Sequence, residues 1–116
     1  RVCYNHMAGK LGVDIYQSMV RNGFLTLDEN ALSLTPSGTD FLESLGLEVE
    51  AFNNQKHPLC RPCLDWSERR YHLAGPLATS LLQLFLRKKW LIKGQHRRAL
   101  KITSQGRKAI RGYFGE

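Results

Sequence analysis

His6-Met-Ala-Gly-Lys-Leu11 recurs 66 residues later as His72-Leu-Ala-Gly-Pro-Leu77. The offset persists through residue 25. Ile15 meets Leu81, Gln17 meets Gln83, Met19 meets Phe85, Arg21 meets Arg87, and Phe24-Leu25 meets Trp90-Leu91. Seven of the twenty positions 6–25 are identical, where ordinary composition gives roughly one or two. After two inserted residues the match resumes at an offset of 68, with Ala31-Leu-Ser-Leu-Thr-Pro-Ser-Gly38 against Ala99-Leu-Lys-Ile-Thr-Ser-Gln-Gly106. Upstream, Cys3-Tyr-Asn5 resembles Cys63-Leu-Asp65, and the second copy has six more residues before its histidine. An internal duplication therefore organises the chain.

Each unit reads as helix, β-hairpin, helix. Leu73, Leu77, Leu81, Leu84 and Phe85 fall on one face at helical spacing, as do Met7, Leu11, Ile15 and Met19 in the first copy. Pro76 suits a first helical turn. Gly23 ends one helix, and Lys88-Lys89 end the other, where cations complement the helix dipole. Phe24–Leu27 and Ala31–Leu34 form one predicted hairpin around Asp28-Glu-Asn30. Trp90–Ile92 and Ala99–Ile102 form the other. Thr35 and Thr103 are predicted helix N-caps. A unit of about 45 residues is too small to stabilise its own core well. The expectation is a mostly helical α+β fold: two pseudo-symmetric winged units packed as one domain over residues 1–116, with the first unit at 1–46, a linker at 47–62 and the second unit at 63–116. A single helical turn is expected at 48–52 and a loop at 53–58.

Apolar residues make up 42% of the 116 and charged residues 23%, ordinary values for a globular domain that argue against disorder and a disulfide scaffold. No apolar run is long enough to span a bilayer. The chain opens Arg1-Val-Cys-Tyr4 without a signal-like segment or an initiator Met, so a piece of a longer cytoplasmic protein is expected. Three cysteines are read as reduced thiols. The net charge of +7 is unevenly spread. Residues 1–55 hold three bases against seven acids, a net of −4; residues 56–116 hold fourteen bases against three acids, a net of +11. A polyanion would meet only the second half.

The Leu-x-Leu-Thr-Pro-x-Gly segment after a hairpin resembles the wing portion of winged helix-turn-helix regulators. Arg1-Val-Cys-Tyr-Asn-His-Met-Ala-Gly-Lys-Leu-Gly12 and Cys63-Leu-Asp-Trp-Ser-Glu-Arg-Arg-Tyr-His-Leu-Ala-Gly75 resemble the C-terminal region of a group of bacterial ArsR-type transcriptional regulators. The likeness covers nearly the whole chain. Asn5 and Tyr71 depart from that pattern, which has Asp and Pro there. The resemblance implies an effector-binding, dimerisation or regulatory module of a repressor. It implies an upstream winged helix in the same protein that reads DNA, contact with DNA through the intact regulator, a possible homodimer and no membrane partner.

Several residue sets carry candidate chemistry. Cys3, His6, Cys63 and His72 hold equivalent places in the two copies, and a two-fold arrangement would let two thiolates and two imidazoles hold zinc or a similar ion. No other cofactor is expected. The plainer reading is two buried thiols and two histidines at helix starts. Cys60-Arg-Pro-Cys63 is a lone CxxC, a dithiol switch if Arg61 lowers a thiol pKa and otherwise an accident of spacing. Asp65 is a candidate helix cap with Glu68, Trp66 a candidate anchor between the units or toward a partner chain, and Arg69 and Arg70 a candidate anion clamp or ligand-pocket wall. Lys88, Lys89, Lys93, Arg97, Arg98 and Lys101 are candidate DNA-backbone contacts, against a solvated hairpin as the alternative. No Gly-rich phosphate loop, paired carboxylates or nucleophile elbow appears, so an enzyme is not expected.

Overall fold

The computed structural model describes residues 2, 3, 6–28, 31–49, 59–96 and 98–115, with His6 as backbone only. Among these residues the chain is a mixed α+β domain of four helices and four antiparallel strand pairs. The order is β1 (Val2–Cys3), β2 (His6–Met7), α1 (Gly9–Arg21), β3 (Leu25–Asp28), β4 (Ala31–Leu34), α2 (Pro36–Ser44), β5 (Arg61–Asp65), β6 (Arg70–Ala74), α3 (Pro76–Arg87), β7 (Leu91–Lys93), β8 (Leu100–Ile102) and α4 (Ser104–Phe114). Hairpin, helix, hairpin, helix thus occurs twice. The expected helices and the hairpins between them are present, and each half also begins with a strand pair that the sequence pattern did not reveal.

The two halves share the hydrogen bonds that join the end of one helix, through a hairpin, to the start of the next. Phe24 N–H donates to Met19 O at 2.8 Å, and Trp90 N–H donates to Phe85 O at 3.0 Å. Thr35 N–H donates to Phe24 O and Thr103 N–H to Trp90 O, both at 3.0 Å. The Thr35 hydroxyl caps Gly38 N–H at 3.0 Å and the Thr103 hydroxyl caps Gly106 N–H at 2.9 Å, satisfying an amide that a helix start leaves without an internal partner. A Cβ on Gly38 or Gly106 would run into the carbonyl oxygen of Phe24 or Trp90. Glycine at these two positions is what lets each helix start lie directly on the aromatic residue before its wing.

Packing crosses between the halves. Helix α1 lies on β6, and α3 lies on β2. Ile15 and Met19 of α1 and Leu77, Leu81, Leu84 and Phe85 of α3 are buried in one core. Fully burying one such aliphatic or aromatic side chain contributes roughly 1.5–3 kcal/mol. The Ser18 hydroxyl of α1 donates to Phe114 O at the end of α4, and Val2 N–H donates to Arg98 O at 2.8 Å. Phe41 of α2 stacks on Phe24 at 4.3 Å and meets Phe114 edge-on at 5.4 Å. Phe85 continues the aromatic chain to Phe114 at 5.9 Å and Trp90 at 5.1 Å. These separations suit edge and offset contacts between rings.

The segment between the halves is partly core. Leu47, Val49 and Cys60 are buried, and β5 begins at Arg61. The turn expected at 48–52 and the loop at 53–58 lie almost wholly outside the described residues. Leu73, expected on the α3 face, belongs to β6 and reaches the core from there. No helix among the described residues is long and apolar enough to cross a membrane.

Candidate functional site at the seam of the two halves

The first strand pair of each half supplies the site. In β1–β2 the register sets Cys3 opposite His6, and in β5–β6 it sets Cys63 opposite His72. Cys-x2-His and Cys-x8-His are therefore one arrangement, a Cys and a His as cross-strand partners on hairpins of different length. The added residues are even in number, which preserves the face each side chain takes on a strand. With the hairpins brought together across the core, the ligand atoms of Cys3, Cys63 and His72 all lie within 4.8 Å of one another. The His6 side chain lies outside what the structure describes.

Asp65 organises the surroundings. Its Oδ2 accepts the Gly9 N–H at 2.6 Å from the start of α1 and lies 3.0 Å from His72 Nδ1. Its Oδ1 accepts Ser67 N–H at 3.1 Å, the Ser67 hydroxyl at 2.6 Å and Glu68 N–H at 3.0 Å. Asp65 and His72 are 5% and 1% exposed. Burial pushes the Asp65 carboxyl upward, but the hydrogen bonds from Ser67, Gly9, Glu68 and His72 outweigh it and hold the pKa well below the carboxylate range. Burial also lowers the His72 pKa, against a smaller upward pull from Asp65. A neutral imidazole donating Nδ1–H to Asp65 carries its lone pair on Nε2.

Asp65 caps a turn, which corrects the expected helix start. Its oxygens bind the amides two and three residues on, a pattern shared by helix caps and Asx turns. The chain then continues into β6. Trp66 sits on that turn, 74% exposed, so it does not anchor one half to the other. Arg69 and Arg70 are exposed, and Arg69 takes a positive φ of 58°. Neither arginine lines the cavity between the two hairpins. The cavity in this region is lined by Met7, Gly12, Ile15, Leu73, Ala78 and Leu81 and measures about 10 Å³. That is at most the room of one water.

The two cysteines of the CxxC sit in different surroundings. Cys60 is buried, its thiol donates to Leu32 O at 3.6 Å, and burial pushes its pKa up to about 11. Cys63 faces Cys3 instead. Its pKa is raised by burial first, then by Cys3, and the lowering effect of Arg61 is outweighed. Neither thiol is the activated nucleophile that a dithiol switch needs.

Lys88, Lys89, Lys93, Arg98 and Lys101 are exposed around the β7–β8 hairpin, with Lys88 Nζ 5.5 Å above the Trp90 ring. Arg97 lies outside the described residues.

The chain is similar to a protein of Bacillus subtilis (strain 168) named "Uncharacterized HTH-type transcriptional regulator YdfF", with 38% identity over 110 residues. The match covers 95% of this chain and 49% of that regulator, so the chain spans about half the length of the curated relative it matches. No family model matches the chain, and no solved structure matches it.

Proposed function

We propose that the chain is the regulatory or dimerisation module of a bacterial ArsR-type transcriptional regulator. In this reading two pseudo-symmetric winged units form the module, and a separate winged helix of the parent protein reads DNA. The carrying observation is the likeness that runs over nearly all of this chain but about half of an HTH-type regulator. A second support is the character of α3. Its exposed positions before Arg87 present Gln83 and no cation, whereas a recognition helix presents donors and cations to base edges. The basic second wing suits supporting contact with phosphates, a sequence-independent role.

The test compares this chain with its parent protein on duplex DNA. The parent binds one operator sequence, and this chain alone binds any duplex weakly with steep salt dependence. Sequence-selective binding by this chain alone, or a parent without a DNA-reading domain, overturns the reading. A Lys93→Ala, Arg98→Ala double variant removes up to about two phosphate contacts from the salt slope if the wing touches DNA; an unchanged slope removes the wing from the interface.

A further inference from the structure

We propose that Cys3, Cys63 and His72 bind a borderline-to-soft transition-metal ion, with Zn²⁺ as the reference, and that the ion clamps the two halves together at their seam. The three ligand atoms come from two hairpins about sixty residues apart in sequence and lie within 4.8 Å of one another. In a tetrahedral zinc site such atoms sit roughly 3.5–3.8 Å apart, given Zn–S near 2.3 Å and Zn–N near 2.0 Å. Two sulfurs and an imidazole select zinc-like or softer ions over magnesium or calcium.

The surroundings of His72 carry the argument beyond a chance cluster. A metal-bound histidine commonly gives its second ring N–H to a carboxylate, which fixes the tautomer and aims the lone pair. Asp65 stands 3.0 Å from His72 Nδ1 and is itself held by Gly9, Ser67 and Glu68. A disulfide between Cys3 and Cys63 would use neither His72 nor Asp65. Three protein donors suffice for a site whose fourth corner is taken by an exogenous ligand. The ion would join β1, in the first half, to β5 and β6 in the second, so binding is stabilising. Its use as the signal a regulator reads rests on the function proposed above. Binding by this chain does not.

The experiment titrates the reduced 116-residue chain with Co²⁺ as a spectroscopic probe and then with Zn²⁺. The expected result is a thiolate-to-cobalt charge-transfer band that saturates at one equivalent and is bleached by Zn²⁺. Cys3→Ser, at a half-buried position, keeps the helical circular dichroism and lowers Zn²⁺ affinity by about 100-fold or more. A second readout uses the unsubstituted chain: Zn²⁺ protects two thiols from alkylation. Absence of the band, no protection, or a Cys3→Ser, Cys63→Ser chain that binds as tightly as the parent overturns the proposal. So does a chain in which these thiols pair as a disulfide on mild oxidation while added Zn²⁺ neither binds nor protects. Failure of the parent protein to bind DNA, with these metal results intact, would overturn the regulator reading alone.

Discussion

The two halves build the same turn from different residues. After α1 the chain reverses through Gly23 with φ 75°, and after α3 through Lys89 with φ 59°. The flanking hydrogen bonds match: Asn22 N–H to Ser18 O and Lys88 N–H to Leu84 O, both at 2.9 Å, then Gly23 N–H to Val20 O and Lys89 N–H to Leu86 O, both at 3.1 Å. Glycine takes this conformation without steric cost, whereas a residue with a Cβ is strained there. The backbone frame and its hydrogen bonds therefore set the turn, and the second half tolerates a mismatched residue in it. Surfaces diverge more freely than frames. The first of these hairpins carries Asp28 where the second carries Lys93 and Arg98, which is one part of the charge asymmetry.

The comparison can be broken most severely at the helix starts. Gly38→Ala and Gly106→Ala each force a Cβ into the carbonyl oxygen of Phe24 or Trp90. Each should cost about 3 kcal/mol or more in urea unfolding, a large share of a small domain's stability. Equal losses confirm that both halves use one frame. A near-neutral result in either half breaks the equivalence.

Alkali probes the contact between halves next. Cys60 donates to Leu32 O across the core, and its thiol stays protonated to about pH 11 against an ordinary 9. The unfolded chain loses that proton first, so stability is full below pH 9 and falls as pH rises toward 11. The loss is roughly 2–3 kcal/mol at about 1.4 kcal/mol per pH unit, read from urea midpoints. Cys60→Ala should flatten this limb of the profile.

Smaller effects test the caps. Thr35→Ala and Thr103→Ala should each cost about 1 kcal/mol, and their double variant the sum, because the two caps share no partner. The smallest effect carries opposite signs in the two halves. Lys89→Gly should stabilise by about 0.5 kcal/mol, whereas Gly23→Ala should destabilise by about 1 kcal/mol. Thermal midpoints resolve both.

Much of the frame was legible in the sequence because its signals are local. Thr35 and Thr103 announce caps, Gly23 announces a stop, and the turn residues Asp28-Glu-Asn30 between two short runs mark a hairpin. The β5–β6 hairpin was not legible. Asp65 followed by Ser67 and Glu68 reads equally as a helix cap or an Asx turn, and only pairing with Arg70–Ala74 decides between them. Cys3, Cys63 and His72 were legible as equivalent positions. Their convergence was not, because it depends on α1 crossing to β6 and α3 to β2. The carboxylate behind His72 was missed for the same reason. The Asp-x6-His spacing of Asp65 and His72 becomes a contact only once the hairpin is recognised.

That crossing makes each half the other's scaffold. A chain severed in the 50–58 segment would leave two pieces, each with a helix stripped of the hairpin it rests on. Reassembly would then be bimolecular and dependent on concentration, whereas the uncut peptide keeps the partners permanently at high effective concentration. The connecting segment thus acts as a tether that turns an association equilibrium into a folding one.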